Sequence, residues 1–326
     1  MKEKTNNTRP RFGAVRGRPA SDRDRGAGLA NQDIAELRKR VNQIRLLTVR
    51  LVNDQLSGEY HSSFKGQGIE FDEVRPYVPG DDVRSIDWNV TARSGYPHIK
   101  RYAEERELTV IFLVDVSGSQ NCGSGVRTKS ELAAFVTCIL AMAATENADN
   151  VGLINFSDRI EKFIPPRKGR TAVMRIVRDV LAAEDETHGG TDIAEALRYL
   201  NNVHKRRALV FLVSDFQDRG YGAELKAAAR RHDLVTISIS DPREFALENA
   251  GLVEIQDPET GDVMLLDTSS AAVREEFRKA AEEENAALEQ SFLQYGIDNV
   301  ALSTGDSDDA VVLKLRRLFG KRGKRR

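Results

Sequence analysis

The chain has little sulfur, few aromatics and no long apolar run. Only two cysteines, Cys122 and Cys138, occur in 326 residues. That excludes a disulfide scaffold and a thiolate cage for zinc. The longest largely apolar run, Leu132 to Ala144, is thirteen residues and contains Thr137. It is too short to span a bilayer. The opening stretch, MKEKTNNTRPRFG, has no apolar core for a signal peptide. The expectation is a cytoplasmic protein with no membrane span. No G-x-x-x-x-G-K-[ST] motif is present, so the chain is not expected to hydrolyse ATP itself. No internal repeat is visible.

What is there is a water-soluble, globular composition, with 40% hydrophobic and 30% charged residues. The length suits one large domain or two ordinary ones. Charge is unevenly spread. Against a net charge of −1, the +5 of residues 1–30 and the +8 of residues 311–326 leave −14 on the body. Basic ends on an acidic body can touch nucleic acid or anionic lipid. These ends lack interleaved aromatics and read better as solubilising tails.

Residues 1–30 read as a disordered basic tail. Residues 31–107 read as an N-terminal module: a helix over 31–56, capped by Asn31 and ended by Gly58, then a polar segment with strands near Ile69–Val74 and His98–Tyr102. Pro79-Gly80-Asp81-Asp82 marks a tight turn, with Asp82 and Arg84 expected to lock it by a local ion pair. Trp88 is expected to pack the module against the main domain. Arg75, Arg84, Arg93, Arg101 and Arg106 are read as paired with neighbouring acids rather than as a basic groove.

Residues 108–305 show a different texture. Nearly continuous apolar runs, VIFLVDV (110–116), VGLINFS (151–157), LVFLVSD (209–215) and LVTISIS (234–240), alternate with helical segments. Such runs belong to strands covered on both faces. IEKFIPP (160–166) reads as a short further strand, residues 251–267 as a small hairpin turning at Glu259-Thr260-Gly261, 269–294 as a long charged helix and 296–303 as a last strand. The fold class is α/β: a doubly wound, mostly parallel sheet with a small N-terminal helix-plus-strand module. Residues 306–326 read as a helix, to about 319, and a basic tail.

In such a sheet, functional groups gather beyond the carboxyl ends of the strands. Asp115, Ser117 and Ser119 directly follow one strand, and Asp215 follows another. Thr191 follows a double glycine at the head of a helix. All five are hard oxygen donors, suited to Mg²⁺ or Mn²⁺ and not to zinc or copper. Only two are charged, so a cation held there keeps an open position for water or an outside carboxylate.

This set resembles the metal-ion-dependent adhesion site of von Willebrand factor type A domains: D-x-S-x-S, a distant Thr and a distant Asp, here Asp115, Ser117, Ser119, Thr191 and Asp215. The resemblance implies that the two serines bind the ion directly, and that Thr191 and the aspartates bind directly or through water. A wider resemblance spans about residues 40–305. Gly66-Gln67-Gly68-Ile69-Glu70-Phe71, Arg75-Pro76-Tyr77, Pro79-Gly80-Asp81-Asp82-Val83-Arg84, Ile86-Asp87-Trp88, Thr91-Ala92-Arg93, Glu105-Arg106-Glu107 and Ser240-Asp241-Pro242-Arg243-Glu244 look like the signature of the bacterial family called domain of unknown function fifty-eight. That resemblance implies a von Willebrand A-like protein working with MoxR-type AAA+ ATPases, as an adaptor in chaperone-like or complex-assembly activity. Many members begin with two membrane helices, which this sequence lacks.

The leading expectation is therefore a non-enzymatic, metal-dependent adaptor that binds an acidic-residue-bearing client. The alternative is a metal-dependent hydrolase, with His188 or Asp192 as base. A third reading is weak nucleic-acid binding through the basic ends. A D-x-D phosphotransferase is disfavoured because Ser117 replaces the second aspartate. The five histidines, His61, His98, His188, His204 and His232, share no ligand spacing. Cys122 reads as a loop residue and Cys138 as core.

Overall fold

The computed structural model describes residues 39, 41, 43, 44, 48, 51, 52, 56–64, 70–103, 107–121, 123, 127–183, 189–256 and 263–325. The expected 1–30 tail, Gly66–Ile69, Glu105, Arg106, Cys122, His188 and the Glu259–Gly261 turn lie outside them.

The apolar runs become a six-stranded sheet. Its strands are β3 (Thr109–Asp115), β4 (Asn150–Phe156), β5 (Ile160–Arg167), β6 (Leu209–Ser214), β7 (Asp233–Ser240) and β10 (Asp298–Ser303). From one edge to the other the order is β10-β7-β6-β3-β4-β5. All neighbours are parallel except β5, which pairs antiparallel with β4. Counted along the sheet's own strands, this is the 3-2-1-4-5-6 order of doubly wound folds, and it reverses between β3 and β6. The α/β fold class expected from the sequence is the fold of the chain.

Both sheet faces are covered, which is why these strands read as continuous hydrophobic runs and not as alternation. Along β3, Val110, Phe112 and Val114 enter one core. Ile111 and Leu113 enter the other. The first core packs against α3 (Lys129–Glu146), α4 (Arg170–Ala182) and α8 (Asp308–Arg325). The second packs against α5 (Ile193–Val203), α6 (Gly222–Arg231) and the end of α7 (Ala271–Gln294). Helix α3 is buried from Leu132 through Ala144. A helix apolar all round is one enclosed on every side, which accounts for the thirteen-residue run.

Several local expectations need correction. Gly58, expected to end the first helix, lies in the first turn of α1 (Ser57–Ser63), a helix whose N-cap is Leu56. Val52, Leu56, Tyr60 and Phe64 are part of the first core. Ser63 donates its hydroxyl hydrogen bond to the Phe319 carbonyl of α8, 2.6 Å away. Tertiary contacts hold this seven-residue helix, which is too short to be stable by itself. At the other end, α8 extends to Arg325 where a basic tail was expected after residue 319.

The signature module forms β1 (Glu70–Pro76) and β2 (His98–Ala103), paired antiparallel, with α2 (Trp88–Ser94) between them. The tight turn is locked by Arg75, whose guanidinium donates to both oxygens of Asp81 at 2.9 and 2.7 Å. Asp82 instead caps a 3-10 turn, accepting from the Arg84 backbone N–H. Trp88 is 68% exposed and does not pack the module down. Asp87 caps α2 through the N–H groups of Asn89 and Val90, which leaves the first helical side chain facing solvent. The hairpin of β8 (Leu252–Gln256) and β9 (Val263–Asp267) lies outside the main sheet.

Candidate functional site

The strand order places the reversal point between β3 and β6, where ligands bind in folds of this topology. β3 delivers Asp115 there as its last residue, and β6 delivers Ser214 with Asp215 next. The parallel pairing of Val114 with Val213 sets Asp115 beside Ser214. Ser214 donates to Asp115 Oδ2 at 2.6 Å, and the Ser117 backbone N–H donates to Asp115 Oδ1 at 3.0 Å. A 3-10 turn over Gly118–Asn121 then folds Ser119 back beside Ser117. The two hydroxyl oxygens are 3.1 Å apart, and Ser119 donates to Asp215 Oδ2 at 2.9 Å. Asp115, Ser117 and Ser119 are all buried. Four of the five residues singled out in the sequence therefore meet through direct contacts.

The residue after Asp215 is conformationally unusual. Phe216 has φ +56°, a left-handed conformation rare for an aromatic. Its ring is held by Phe292 and Tyr221, at centroid distances of 5.0 and 6.1 Å. Such strained positions persist where surrounding packing over-determines them, often at functional sites.

Thr191 stands half-buried on the same rim. Its loop is fixed to the end of β4 by the Asp192 N–H donating to the Ser157 carbonyl at 2.8 Å. Gly189 closes against Asp158, whose Oδ2 would lie 2.9 Å from any added Cβ. Asp192, weighed as a general base, is the N-cap of α5 and accepts from the Glu195 N–H at 2.7 Å. Its carboxylate is engaged in helix capping.

Sequence reasoning missed Lys129. It is the first residue of α3, behind a capping box formed by Thr128 and Glu131. Its side chain is 2% exposed, and its ammonium donates to Asp215 Oδ2 at 2.8 Å and pairs with Glu244. Glu244 comes from a 3-10 turn, Pro242–Glu244, that follows β7. Asp241 starts this turn and also accepts from the Thr304 hydroxyl beyond β10, at 2.6 Å. The Ser240-Asp241-Pro242-Arg243-Glu244 motif is thus a strut that carries Glu244 to Lys129. A signal for Lys129 did exist in the sequence. A cation in the first turn of a buried helix opposes the helix dipole and needs nearby acids.

The electrostatics follow from this geometry. Burial, and then the charge of Asp215, push the Asp115 carboxyl up to about 7. Burial also works against a charged Asp215, but the Lys129 ammonium and the Ser119 hydroxyl override it and hold the carboxyl below its usual range. Burial disfavours the Lys129 ammonium as well, yet Asp215 and Glu244 keep it protonated well above the ordinary lysine range. Gln120, next to Ser119, is 1% exposed, and neither of its amide atoms has a hydrogen-bond partner.

Among the described residues no group of three or more His, Cys, Asp or Glu side chains is disposed to hold a metal ion. Any ion at this rim must therefore use hydroxyl oxygens beside two carboxylates, a donor set that suits a hard cation. Chemically, the Ser119 hydroxyl is a poor nucleophile candidate, because the Asp215 carboxylate it touches is held ionised and is a weak base.

The fold and this rim define the class: an open α/β sheet of doubly wound order with a hydroxyl–carboxylate cluster at its switch point. The chain belongs to the family described as Protein of unknown function DUF58, whose model matches residues 73–287. It is 28% identical over 274 residues to Uncharacterized protein Rv1480 of Mycobacterium tuberculosis, an alignment covering 83% of this chain and 86% of that protein. Similar solved structures include the conserved hypothetical protein BatB of Bacteroides thetaiotaomicron, at 16% identity and a TM-score of 0.40, covering 67% of this chain and 99% of that one. The SpRpn10 VWA domain is 9% identical with a TM-score of 0.37, covering 64% and 94%. Among the described residues, no helix is long and apolar enough to cross a membrane.

Proposed function

We propose that this chain is a non-enzymatic protein-binding adaptor. Its rim holds Mg²⁺ or Mn²⁺ through Asp115, Ser117, Ser119 and Asp215, with Thr191 completing the set, and captures an acidic side chain of a client protein. The observation that carries this reading is the continuous run of oxygens from Ser117 through Ser119 to Asp215, spaced 3.1 and 2.9 Å, beside the buried Asp115 carboxylate. When bound, a divalent ion supplies a charge-dense contact for an outside carboxylate. The protein's own residues hold that position inside a buried wall and leave its outer side to the client. The partnership with a MoxR-type AAA+ ATPase rests on the family resemblance of the signature block.

Calorimetric titration of the full chain with MgCl₂ and MnCl₂ tests the site. The wild type is expected to bind, and Asp115→Ala and Asp115→Asn are expected to lose binding while keeping the native circular dichroism spectrum. Equal binding by wild type and both variants would remove Asp115 from the site. Affinity capture with and without chelator tests the client: an acidic protein released by chelation supports the reading, and capture indifferent to chelator opposes it.

A further inference from the structure

Asp215 Oδ2 is an occupied atom. It accepts from the Ser119 hydroxyl at 2.9 Å and from the Lys129 ammonium at 2.8 Å. A carboxylate oxygen has two lone pairs, so these donors use its capacity. Asp215 Oδ1 accepts from the Gln217 N–H at 3.3 Å. A serine can keep donating its proton while it offers a lone pair to a cation. An ammonium cannot, because it has no acceptor atom. Lys129 also brings a full positive charge to the oxygen that a divalent ion would use. The ammonium has a second anchor in Glu244.

We infer that Lys129 is a resident cation that competes with the divalent ion for Asp215, and that Glu244 is the anchor that retains the ammonium when the ion takes its place. The inference rests on the metal reading of this rim. The same two side chains thereby link the rim to the Pro242–Glu244 turn at the end of β7. Ion entry shifts Lys129 from a contact shared by two carboxylates to one with Glu244 alone. The strut of Asp241 and Thr304 is the element that feels the change.

Mn²⁺ titration of the full chain tests this, by calorimetry and by water-proton relaxation. Lys129→Met removes the competitor while keeping its length. It is expected to bind Mn²⁺ about tenfold tighter than wild type or better, and to hold that ratio when salt is raised, because a buried contact is little screened. Arg243→Met removes an exposed charge from the same turn without touching Asp215, and is expected to stay within about twofold of wild type. Removing one member of a buried pair can unfold a protein. The double variant Lys129→Met/Glu244→Gln therefore serves as a second measurement, compared with Glu244→Gln alone, and the same tightening is expected. Wild-type binding with no tightening in either comparison overturns the competition and leaves the metal site standing. A tightening that vanishes at high salt, or that Arg243→Met reproduces, also overturns it, as a general field effect. If neither wild type nor any variant binds Mn²⁺, the competition and the metal reading fall together.

Discussion

The guanidinium of Arg322 lies over the ring of Phe64, 4.8 Å from its centroid, and joins the two ends of the described chain. The same side chain pairs with Asp233 and with Asp298, the latter at 3.1 Å. It is 8% exposed. A residue in the basic C-terminal stretch therefore acts as a clamp between α8, α1 and the first residues of β7 and β10.

That clamp gives the first prediction. Arg322→Ala removes a buried cation from two half-buried carboxylates and is expected to destabilise the protein by about 2 kcal/mol. Arg322→Lys keeps the charge but loses the planar fork and the stacking, and is expected to fall between the two. Urea denaturation midpoints measure both. A change under about 0.5 kcal/mol for Arg322→Ala would show that the segment behaves as a free tail.

His232 gives the second. It is buried, its Nδ1 accepts from the Ala208 N–H at 3.3 Å, and its Nε2 has no partner. Burial, then His204, Arg231 and Arg207, lower its pKa to about 4. The neutral ring is thus favoured by the fold. A base depressed in the native state stabilises the protein above its ordinary pKa, near 6.5, and that contribution is lost as pH falls from about 6.5 through 4. The loss amounts to at most about 3 kcal/mol. His232→Asn, which retains an acceptor, is expected to flatten the stability profile across that window. An unchanged slope would assign the acid sensitivity elsewhere.

The only tryptophan provides the third. Trp88 is exposed on α2, so its emission is expected to be that of a solvated indole already in the native state, shifting little on unfolding. Trp88→Ala is expected to change stability by less than about 0.5 kcal/mol. A large blue-to-red shift on denaturation, or free quenching only after unfolding, would contradict the exposure.

Thr128 provides the fourth. Its hydroxyl accepts from the Glu131 N–H at 3.0 Å, and Glu131 reciprocates to the Thr128 N–H at 3.1 Å. This box starts the helix that presents Lys129 to Asp215. Thr128→Ala is expected to cost about 1 kcal/mol, and Thr128→Ser most of an order less. Thermal melts of the pair decide it, and equal losses would show that the reciprocal bonds carry no weight.

The strands, the α/β class and the positions of Asp115 and Asp215 were legible in the chain alone. Each depends on local information: an apolar run long enough to be covered on both faces, followed at once by a carboxylate. In a parallel sheet the end of such a run is the functional rim, so spacing along the chain translates directly into position. Ser117 and Ser119 were legible for the same reason, since they occupy the turn that leaves β3.

Which charges are buried and which aromatics are not depended on the folded arrangement. Lys129 went unremarked in the sequence, Glu244 entered only as part of the Ser240–Glu244 motif, Arg322 read as part of a basic tail, and Trp88 as an anchor. Their fates depend on what arrives from elsewhere in the chain: Asp215 from β6, the turn after β7, and Phe64 beside α8. Hydrophobic periodicity records the face an element turns to its neighbours, whereas the partner of a buried charge is set by strand order. The reversal of that order between β3 and β6 brings Asp115 and Asp215 together, and the crossover helix from β3 lays Lys129 against them.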